Sequence, residues 1–292
     1  MSLIDGRKTA GIIKEQLKKD IEQWTNNGNK RPHLAAVLVG DNVASRSYIK
    51  TKIKSCEEVG MVSSFFPLDA QITEDQLLTE IQKLNNNDKI DGFIVQLPLP
   101  DHIDEHKIIQ AIDPKKDVDG FHPVNLGKMM LGLPALLPAT PYGILELLRH
   151  HDIETSGKHC VVLGRSNIVG TPVSILLSRK SDVGNCTVTL AHSRTKNLNE
   201  ITKLADILIV ALGKPEFVTP DMIKPNCVII DVGINRKDDA TRKRGYRLVG
   251  DVHYDDVVEK ASHITPVPGG VGPMTVTCLL LNTFKTVQWN AK

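Results

Sequence analysis

Ser45, Tyr48, Lys52 and Cys56 are spaced three, four and four residues apart. At 100° per residue they share a sector of about 80° on a helix, while Arg46, Lys50 and Lys54 point elsewhere. A hydroxyl, a phenol and an amine on one stripe suit a ligand surface. A solvated helix with an ordinary lysine fits the same letters. Lysine serves as a base only if its ammonium form is destabilised: at its usual pKa of ~10.4, about one side chain in a thousand is neutral near pH ~7.4. Closing that gap of ~3 pH units takes ~4 kcal/mol, within reach of burial in a closed cleft. Two further segments carry polar groups of this kind. Gln96 ends the apolar run at 90–96, the place where open α/β sheets receive ligands. Asp117-Val118-Asp119-Gly120 follows in a proline-rich stretch. Each has a plainer reading, Gln96 as the cap of its own loop and the aspartates as an Asx turn at Gly120.

A second kind of chemistry belongs to Gly164-Arg165-Ser166-Asn167-Ile168-Val169-Gly170-Thr171-Pro172, which joins the β-rich run 159–163 to a helical stretch. Glycine there lets backbone approach a pyrophosphate at a helix N-terminus, where free N–H groups and the helix dipole favour anions. Ser166 and Val169 stand at the second and third glycine positions of the usual dinucleotide fingerprint, and no P-loop lysine follows. The turn therefore fits either a dinucleotide site or an ordinary strand–helix connection. The next strand, 187–191, is followed by His192-Ser193-Arg194-Thr195-Lys196. NAD-type sites usually place an acid there for the ribose hydroxyls. Hydroxyl and cationic donors instead suit a 2′-phosphate, with Arg165 as a second charge, so NADP is expected over NAD; the alternative is a solvated basic loop.

The elements that must position these residues alternate. Helical periodicity over 9–24 is followed by an apolar run at 34–39, a helix over 45–60 with Gly60 as C-cap, and a strand at 61–66. Thr73 and Gln76 stand at capping-box spacing for a helix to about 85, and a third strand spans 90–96. Strands alternating with helices imply parallel pairing. Residues 113–141 read as irregular, and a long loop in a compact domain is usually functional. Thr140-Pro141 is expected to cap a helix running to about 152. Beyond it, β-rich runs at 159–163, 186–191, 206–211 and 227–231 repeat the pattern, with a helix at 172–179. Asn235 to Gly245 reads as a basic loop or hairpin, and a helix spans 274–289.

The 292 residues suit two domains. Apolar residues make up 41% and charged residues 24%, which argues against disorder. With 36 basic and 34 acidic side chains the formal charge is +2, so no overall field would hold nucleic acid or an anionic membrane. No apolar stretch approaches the ~18 residues of a membrane span, and the first residues lack the apolar core of a secretory signal, so the chain reads as cytosolic. Five scattered cysteines without a C-x-x-C pair read as buried reduced thiols. Ten histidines include no H-E-x-x-H or Cys/His cluster, and no metal is expected.

Six blocks in order give the chain a family resemblance: Ser45-Arg46-Ser47-Tyr48-Ile49-Lys50-Thr51-Lys52, Gly92-Phe93-Ile94-Val95-Gln96-Leu97-Pro98-Leu99-Pro100, Lys116-Asp117-Val118-Asp119-Gly120-Phe121, Pro138-Ala139-Thr140-Pro141, Gly164 to Gly170, and Pro266-Val267-Pro268-Gly269-Gly270-Val271-Gly272-Pro273. Over essentially its whole length the chain resembles the bifunctional methylenetetrahydrofolate dehydrogenase/methenyltetrahydrofolate cyclohydrolases. The resemblance implies two α/β domains: a folate-binding catalytic domain of residues 1–140 plus 275–292, and a Rossmann-type NADP domain of residues 141–274. A C-terminal helix would return to the first domain, with the active site in the cleft between domains. It further implies a cytoplasmic homodimer that acts on tetrahydrofolate one-carbon substrates and serves purine biosynthesis, without nucleic acid or membrane partners.

Residue roles follow from the same resemblance. Lys52 would be central to the cyclohydrolase step, Gln96 would tune it, Tyr48 would pack along the aminobenzoyl ring, and Asp119 would hold the pterin. Ser45, Leu97 and Pro98 would join them at the folate, as would Pro268, Gly269 and Gly270. Arg165, Ser166 and Ser193 match positions around the 2′-phosphate. Gly164, Ile168, Val169, His192 and Arg194, with Gly233, Ile234 and Thr275, would complete the cofactor site. The stretch from Arg236 to Gly245 departs from the family by being longer and more basic.

Hydride loss from the one-carbon bridge needs chiefly geometry, whereas the hydrolytic step needs a proton acceptor, for which Lys52 is the candidate. An adjacent carboxylate would oppose a low lysine pKa, so Asp119 is expected to face the pterin and not the amine. Three other readings remain: a non-catalytic folate or dinucleotide binder on the same scaffold, a quinate- or amino-acid-type dehydrogenase with a related two-domain plan, and a cyclohydrolase whose dehydrogenase half is inactive.

Overall fold

The computed structural model describes residues 1–242 and 245–291. In chain order the elements begin β1 (Ser2–Leu3), α1 (Gly6–Asn26), β2 (His33–Val39), α2 (Val43–Glu58), β3 (Val62–Leu68), α3 (Glu74–Asn85), β4 (Gly92–Val95), α4 (Glu105–Ala111), α5 (Pro123–Leu131) and α6 (Ala139–His150). They continue with β5 (His159–Leu163), α7 (Gly170–Ser178), β6 (Thr187–Ala191), α8 (Leu198–Thr202), β7 (Ile207–Val210), β8 (Cys227–Asp231), β9 (Asn235–Asp238), β10 (Tyr246–Val249), α9 (Tyr254–Val257), β11 (Ala261–Ile264) and α10 (Val271–Asn290).

Two compact units result. One comprises Met1–Ala10 and Thr140–Thr275, the other Gly11–Ala139 and the chain from Val276 onward. The N-terminus thus departs from the boundary expected from sequence. Ser2 and Leu3 pair in parallel with His263 and Ile264, so the first residues extend the sheet of the 140–275 unit. A two-residue strand carries no periodicity by which a sequence could announce it.

The unit containing Lys52 is built on a parallel sheet of order β3-β2-β4. Six of the seven residues of β2 are buried, as a strand covered on both faces requires. Ala35, Val37, Phe93 and Val95 pack against Leu77, Ile81 and Leu84 of α3 and Ile108 of α4. The Thr73 hydroxyl accepts from Gln76 N while the Gln76 side chain accepts from Thr73 N, so the expected capping box opens α3. From the C-terminal helix α10, Thr286 Oγ1 donates to Asp91 O at 3.1 Å.

The other unit carries an all-parallel sheet of order β1-β11-β8-β7-β5-β6. Its core runs from Val161 and Leu163 through Leu208, Val210 and Ile229 to Ile264. Because β5 has β6 on one side and β7 on the other, the strand order reverses there, and the crevice beyond the carboxyl ends of these strands is where such sheets take ligands.

Two local expectations change, and a third is narrowed to one of its alternatives. The stretch expected to be irregular contains α5, and α4 lies just before it. Asp104 caps α4 through His106 N, and His122 caps α5 by accepting from Val124 N at 3.0 Å, with Pro123 in the first turn and Gly132 left-handed at the C-cap. Histidine is not among the usual N-cap residues, so the pattern was hidden. Thr140 is not a cap: α6 begins at Ala139, and the Thr140 hydroxyl meets the Thr275 hydroxyl at 3.0 Å. The basic segment is a hairpin, with β9 and β10 antiparallel; Lys243 and Arg244 of it lie outside the described residues. All five cysteines are buried, and none is joined in a disulfide. Among the described residues no helix is long and apolar enough to cross a membrane, and no cluster of His, Cys, Asp or Glu could hold a metal ion.

Candidate active site

Asn42 Oδ1 accepts from Ser45 N and so starts α2, whose inner stripe buries Ser45, Ile49, Lys52 and Cys56. Arg46, Lys50 and Lys54 are exposed, as the spacing requires. Tyr48 lies at the edge of the stripe with 43% of its surface exposed, whereas Lys52 keeps only 8%. The Lys52 ammonium is therefore one of the few buried charges of its unit. Its Nζ donates to Gln96 Oε1 at 3.0 Å, and Gln96 Nε2 donates to Leu97 O at 2.8 Å. That second bond fixes which end of the amide meets the lysine. Gln96 N in turn donates to Val37 O, which continues the ladder of β4 by one residue and sets the glutamine at the strand's carboxyl end. Leu97 and Pro98 follow directly, half-buried and exposed respectively.

Burial holds the Lys52 amine below its usual pKa, and the charge of Asp119 opposes this without cancelling it. Asp119 is itself pushed up to about 6, chiefly by desolvation, with Lys52 pulling it down and Asp117 pushing it up. Each charge therefore acts on the other. Desolvation outweighs the opposing charge because both groups are removed from water together.

Asp117, which the sequence offered only as part of a turn, organises that loop. Its carboxylate accepts from Phe121 N, from His122 N at 2.8 Å and from Asn125 Nδ2 at 2.9 Å. Burial raises its pKa, and these donors hold it back.

The glycine turn after β5 lies in the other unit. Gly164 has φ of +111°, and a Cβ there would sit 2.1 Å from Ala211 O. A Cβ on Gly170 would sit 1.9 Å from Gly164 O. Both positions therefore require glycine. Ser166, at the second fingerprint position, turns its hydroxyl into the helix start, accepting from Val169 N at 3.2 Å and Gly170 N at 3.4 Å. Those N–H groups are not left free for a phosphate as in the glycine-only fingerprint.

A cavity of about 290 Å³ opens beside this turn. It gathers five of the expected cofactor residues, Gly164, Arg165, Ser166, His192 and Ser193. Leu198, Leu212, Lys214 and Phe217, which sequence reasoning missed, complete its wall. Lys214 follows β7, and only the strand order reveals that β7 is the neighbour of β5. Asp251 shapes this side by accepting from Leu212 N at 2.6 Å and Gly213 N at 2.9 Å. Asp231 accepts from Gly233 N, Asp251 N and Val252 N, and burial pushes its pKa up to about 7.

The remaining expected cofactor residues lie outside this cavity's lining. Ile168, Arg194 and Ile234 are exposed, Val169 N is bonded to Ser166, and Thr275 is bonded to Thr140. Gly233 is confined by Asp251, whose Cγ would lie 2.3 Å from a Cβ. Pro268, Gly269 and Gly270 belong to this same unit, not to the unit of Lys52. Their turn packs on the start of α1, where Arg7 N donates to Gly269 O and a Cβ on Gly6 would meet Gly270 O at 1.7 Å.

The cavity fits a dinucleotide: a glycine-lined floor, apolar walls from Leu198, Leu212 and Phe217, cations at Arg165 and Lys214, and no acid after β6.

Comparison with known proteins agrees with both halves. The family model described as the catalytic domain of tetrahydrofolate dehydrogenase/cyclohydrolase matches residues 4–119, and that of its NAD(P)-binding domain matches residues 138–291. The "Bifunctional protein FolD" of Cytophaga hutchinsonii is 59% identical over 285 residues, covering 98% of each chain. The crystal structure of the bifunctional FolD enzyme from Campylobacter jejuni superposes with a TM-score of 0.93 at 44% identity, over 99% of each chain. The Trypanosoma brucei FolD, solved with NADP cofactor and an inhibitor, gives a TM-score of 0.94 at 36% identity, covering 100% of this chain and 99% of that one. With its catalytic and nucleotide-binding parts both matched, this chain belongs to the tetrahydrofolate dehydrogenase/cyclohydrolase family.

Proposed function

We propose that the chain oxidises 5,10-methylenetetrahydrofolate to 5,10-methenyltetrahydrofolate with NADP and then hydrolyses the product to 10-formyltetrahydrofolate. The observation that carries this reading is a buried lysine of lowered pKa, hydrogen-bonded to Gln96 and electrostatically coupled to Asp119, in a chain of this family.

Bound NADP supplies a hydride acceptor at C4 of its nicotinamide. Arg165 and Ser193 would hold the 2′-phosphate, and the apolar wall of Leu198, Leu212 and Phe217 would take the purine. Loss of hydride leaves a cation that the neighbouring folate nitrogen stabilises with its lone pair. In this half the protein therefore needs to bind and orient rather than move protons. Asp119, ionised above about 6, accepts hydrogen bonds from the amino-pyrimidinone edge of the pterin. Tyr48 offers its exposed ring to the aminobenzoyl group, and Ser45, Leu97 and Pro98 complete the surroundings.

The second half requires a base. Neutral Lys52 takes a proton at Nζ as a water oxygen bonds to the methenyl carbon. It returns that proton to the ring nitrogen as the carbon–nitrogen bond opens, and the hydroxyl's remaining proton leaves as the formyl carbonyl forms. Gln96 Oε1, fixed by its own bond to Leu97 O, keeps the amine aimed. Five cysteines without a disulfide favour a reducing, cytoplasmic setting. A homodimer supplying purine biosynthesis is the matching physiological form, to be tested by sedimentation.

Lys52→Met tests the assignment. Methenyl formation is followed by its chromophore with NADP, and hydrolysis by loss of that chromophore. The expected result is a fall of about a thousandfold in hydrolysis with hydride transfer retained. Normal hydrolysis would remove the lysine from the mechanism.

A further inference from the structure

Asn282 is fully buried on α10, yet its side chain serves neither its own helix nor an ion pair. Its Nδ2 donates to Val118 O and to Leu137 O, both at 2.8 Å. Both partners are carbonyl oxygens, which only accept, so the amide can be oriented in one way alone. The price of this orientation is that Asn282 Oδ1 finds no hydrogen-bond partner among the described residues. The neighbouring Thr283 and Thr286 avoid such a cost by returning their hydroxyls to carbonyls of α10 itself, at 2.8 Å in each case. A buried polar atom left unsatisfied calls for a reason beyond packing.

The reason lies in which peptides are held. Val118 O belongs to the peptide immediately before Asp119. The peptide after it is held by Ala139 N, which donates to Asp119 O at 3.1 Å. Gly120, with φ of +74°, presses against Leu137, where a Cβ would come within 2.4 Å of the carbonyl carbon. Asn282 therefore ties the 117–120 turn and the 137–139 segment together, and both peptide planes flanking Asp119 are pinned. These contacts fix the backbone from which the Asp119 side chain projects.

We propose that Asn282 is a positioning residue for folate binding: it aims Asp119 at the pterin edge from a helix remote in sequence. This rests on the folate reading of the Lys52 unit given above. Asn282→Leu removes both donors while filling the site. Thr286→Val, one turn along α10, removes a buried hydroxyl that bonds Asp91 O and not the site loop, and serves as the control for simple destabilisation.

Steady-state dehydrogenase kinetics and thermal unfolding are measured for both variants. The expected result for Asn282→Leu is a rise of about tenfold or more in KM for methylenetetrahydrofolate, with KM for NADP within about twofold of wild type. Its acid-side pH limb moves as well, because the surroundings of Asp119 change. Thr286→Val lowers the melting temperature and leaves the folate KM unchanged. If Asn282→Leu does not accumulate as folded protein, Asn282→Ser, which keeps a small polar group there, is read by the same criteria. An active wild type whose Asn282 variant keeps its folate KM and pH limb overturns the inference alone. A wild type unable to reduce NADP with methylenetetrahydrofolate overturns the functional reading and this inference with it.

Discussion

Around Lys52 the atoms that matter belong to side chains withdrawn from water, whereas around Gly164 they belong to backbone and to side chains that remain wet. Lys52 and Asp119 are shifted in opposite senses from their usual pKa values, each chiefly by loss of solvent. The glycine turn works through shape: two positions that tolerate no Cβ, and a serine hydroxyl folded back onto the helix start. Arg165 and Ser193 beside it are exposed. The contrast follows from the tasks. Moving a proton near neutral pH requires a base whose charged form is made costly. Gripping a phosphorylated nucleotide requires a rigid outline and cations that can stay hydrated until the ligand arrives.

The contrast breaks most visibly at Gly164. Gly164→Ala places a methyl group 2.1 Å from Ala211 O at a φ that side chains rarely adopt. NADP affinity is expected to fall about a hundredfold or more, with binding of a folate analogue preserved. Fluorescence titration of both ligands checks this, and unchanged NADP binding would mean that the turn is not a rigid element at all.

The acid limb of the folate reaction is the next largest effect. Asp119 must lose its proton to accept hydrogen bonds from the pterin, so kcat/KM for methylenetetrahydrofolate should drop about tenfold per pH unit below about 6. In Lys52→Met the cation that lowers Asp119 is gone, and the limb should move to higher pH. A limb that stays in place in that variant would show that the two groups do not feel one another.

A smaller effect is expected at Arg165, because an exposed cation contributes modestly. Arg165→Ala should reduce the preference for NADP over NAD by about tenfold, equivalent to ~1.4 kcal/mol. An unaltered ratio at equal cofactor concentrations would hand the 2′-phosphate to Arg194 or Lys214.

What the sequence disclosed depended on the range of the interaction. The capping box at Thr73 and Gln76 lies within four residues and was legible as written. So was the buried face of α2, since periodicity alone sorts Lys52 from Lys50 and Lys54. The helix α5 was not, because its cap is a histidine whose ring nitrogen does what an aspartate oxygen usually does. The electrostatic link between Lys52 and Asp119 was not legible. Two residues 67 positions apart offer no pattern from which to read a distance. Lys214 and Asn282 were invisible for the same reason: one needs the strand order, and the other reaches partners 145 and 164 residues away.

The burial of every cysteine has a practical consequence. The thiols of Cys56 and Cys227 are pushed up to about 12, that of Cys186 to about 11, and Cys160 higher than its ordinary value by the same loss of water. An alkylating reagent at neutral pH therefore meets a folded surface without an exposed thiol. Mass gain on treatment becomes a direct clock for unfolding, and a single cysteine engineered onto an exposed loop could carry a fluorophore with no native background to remove.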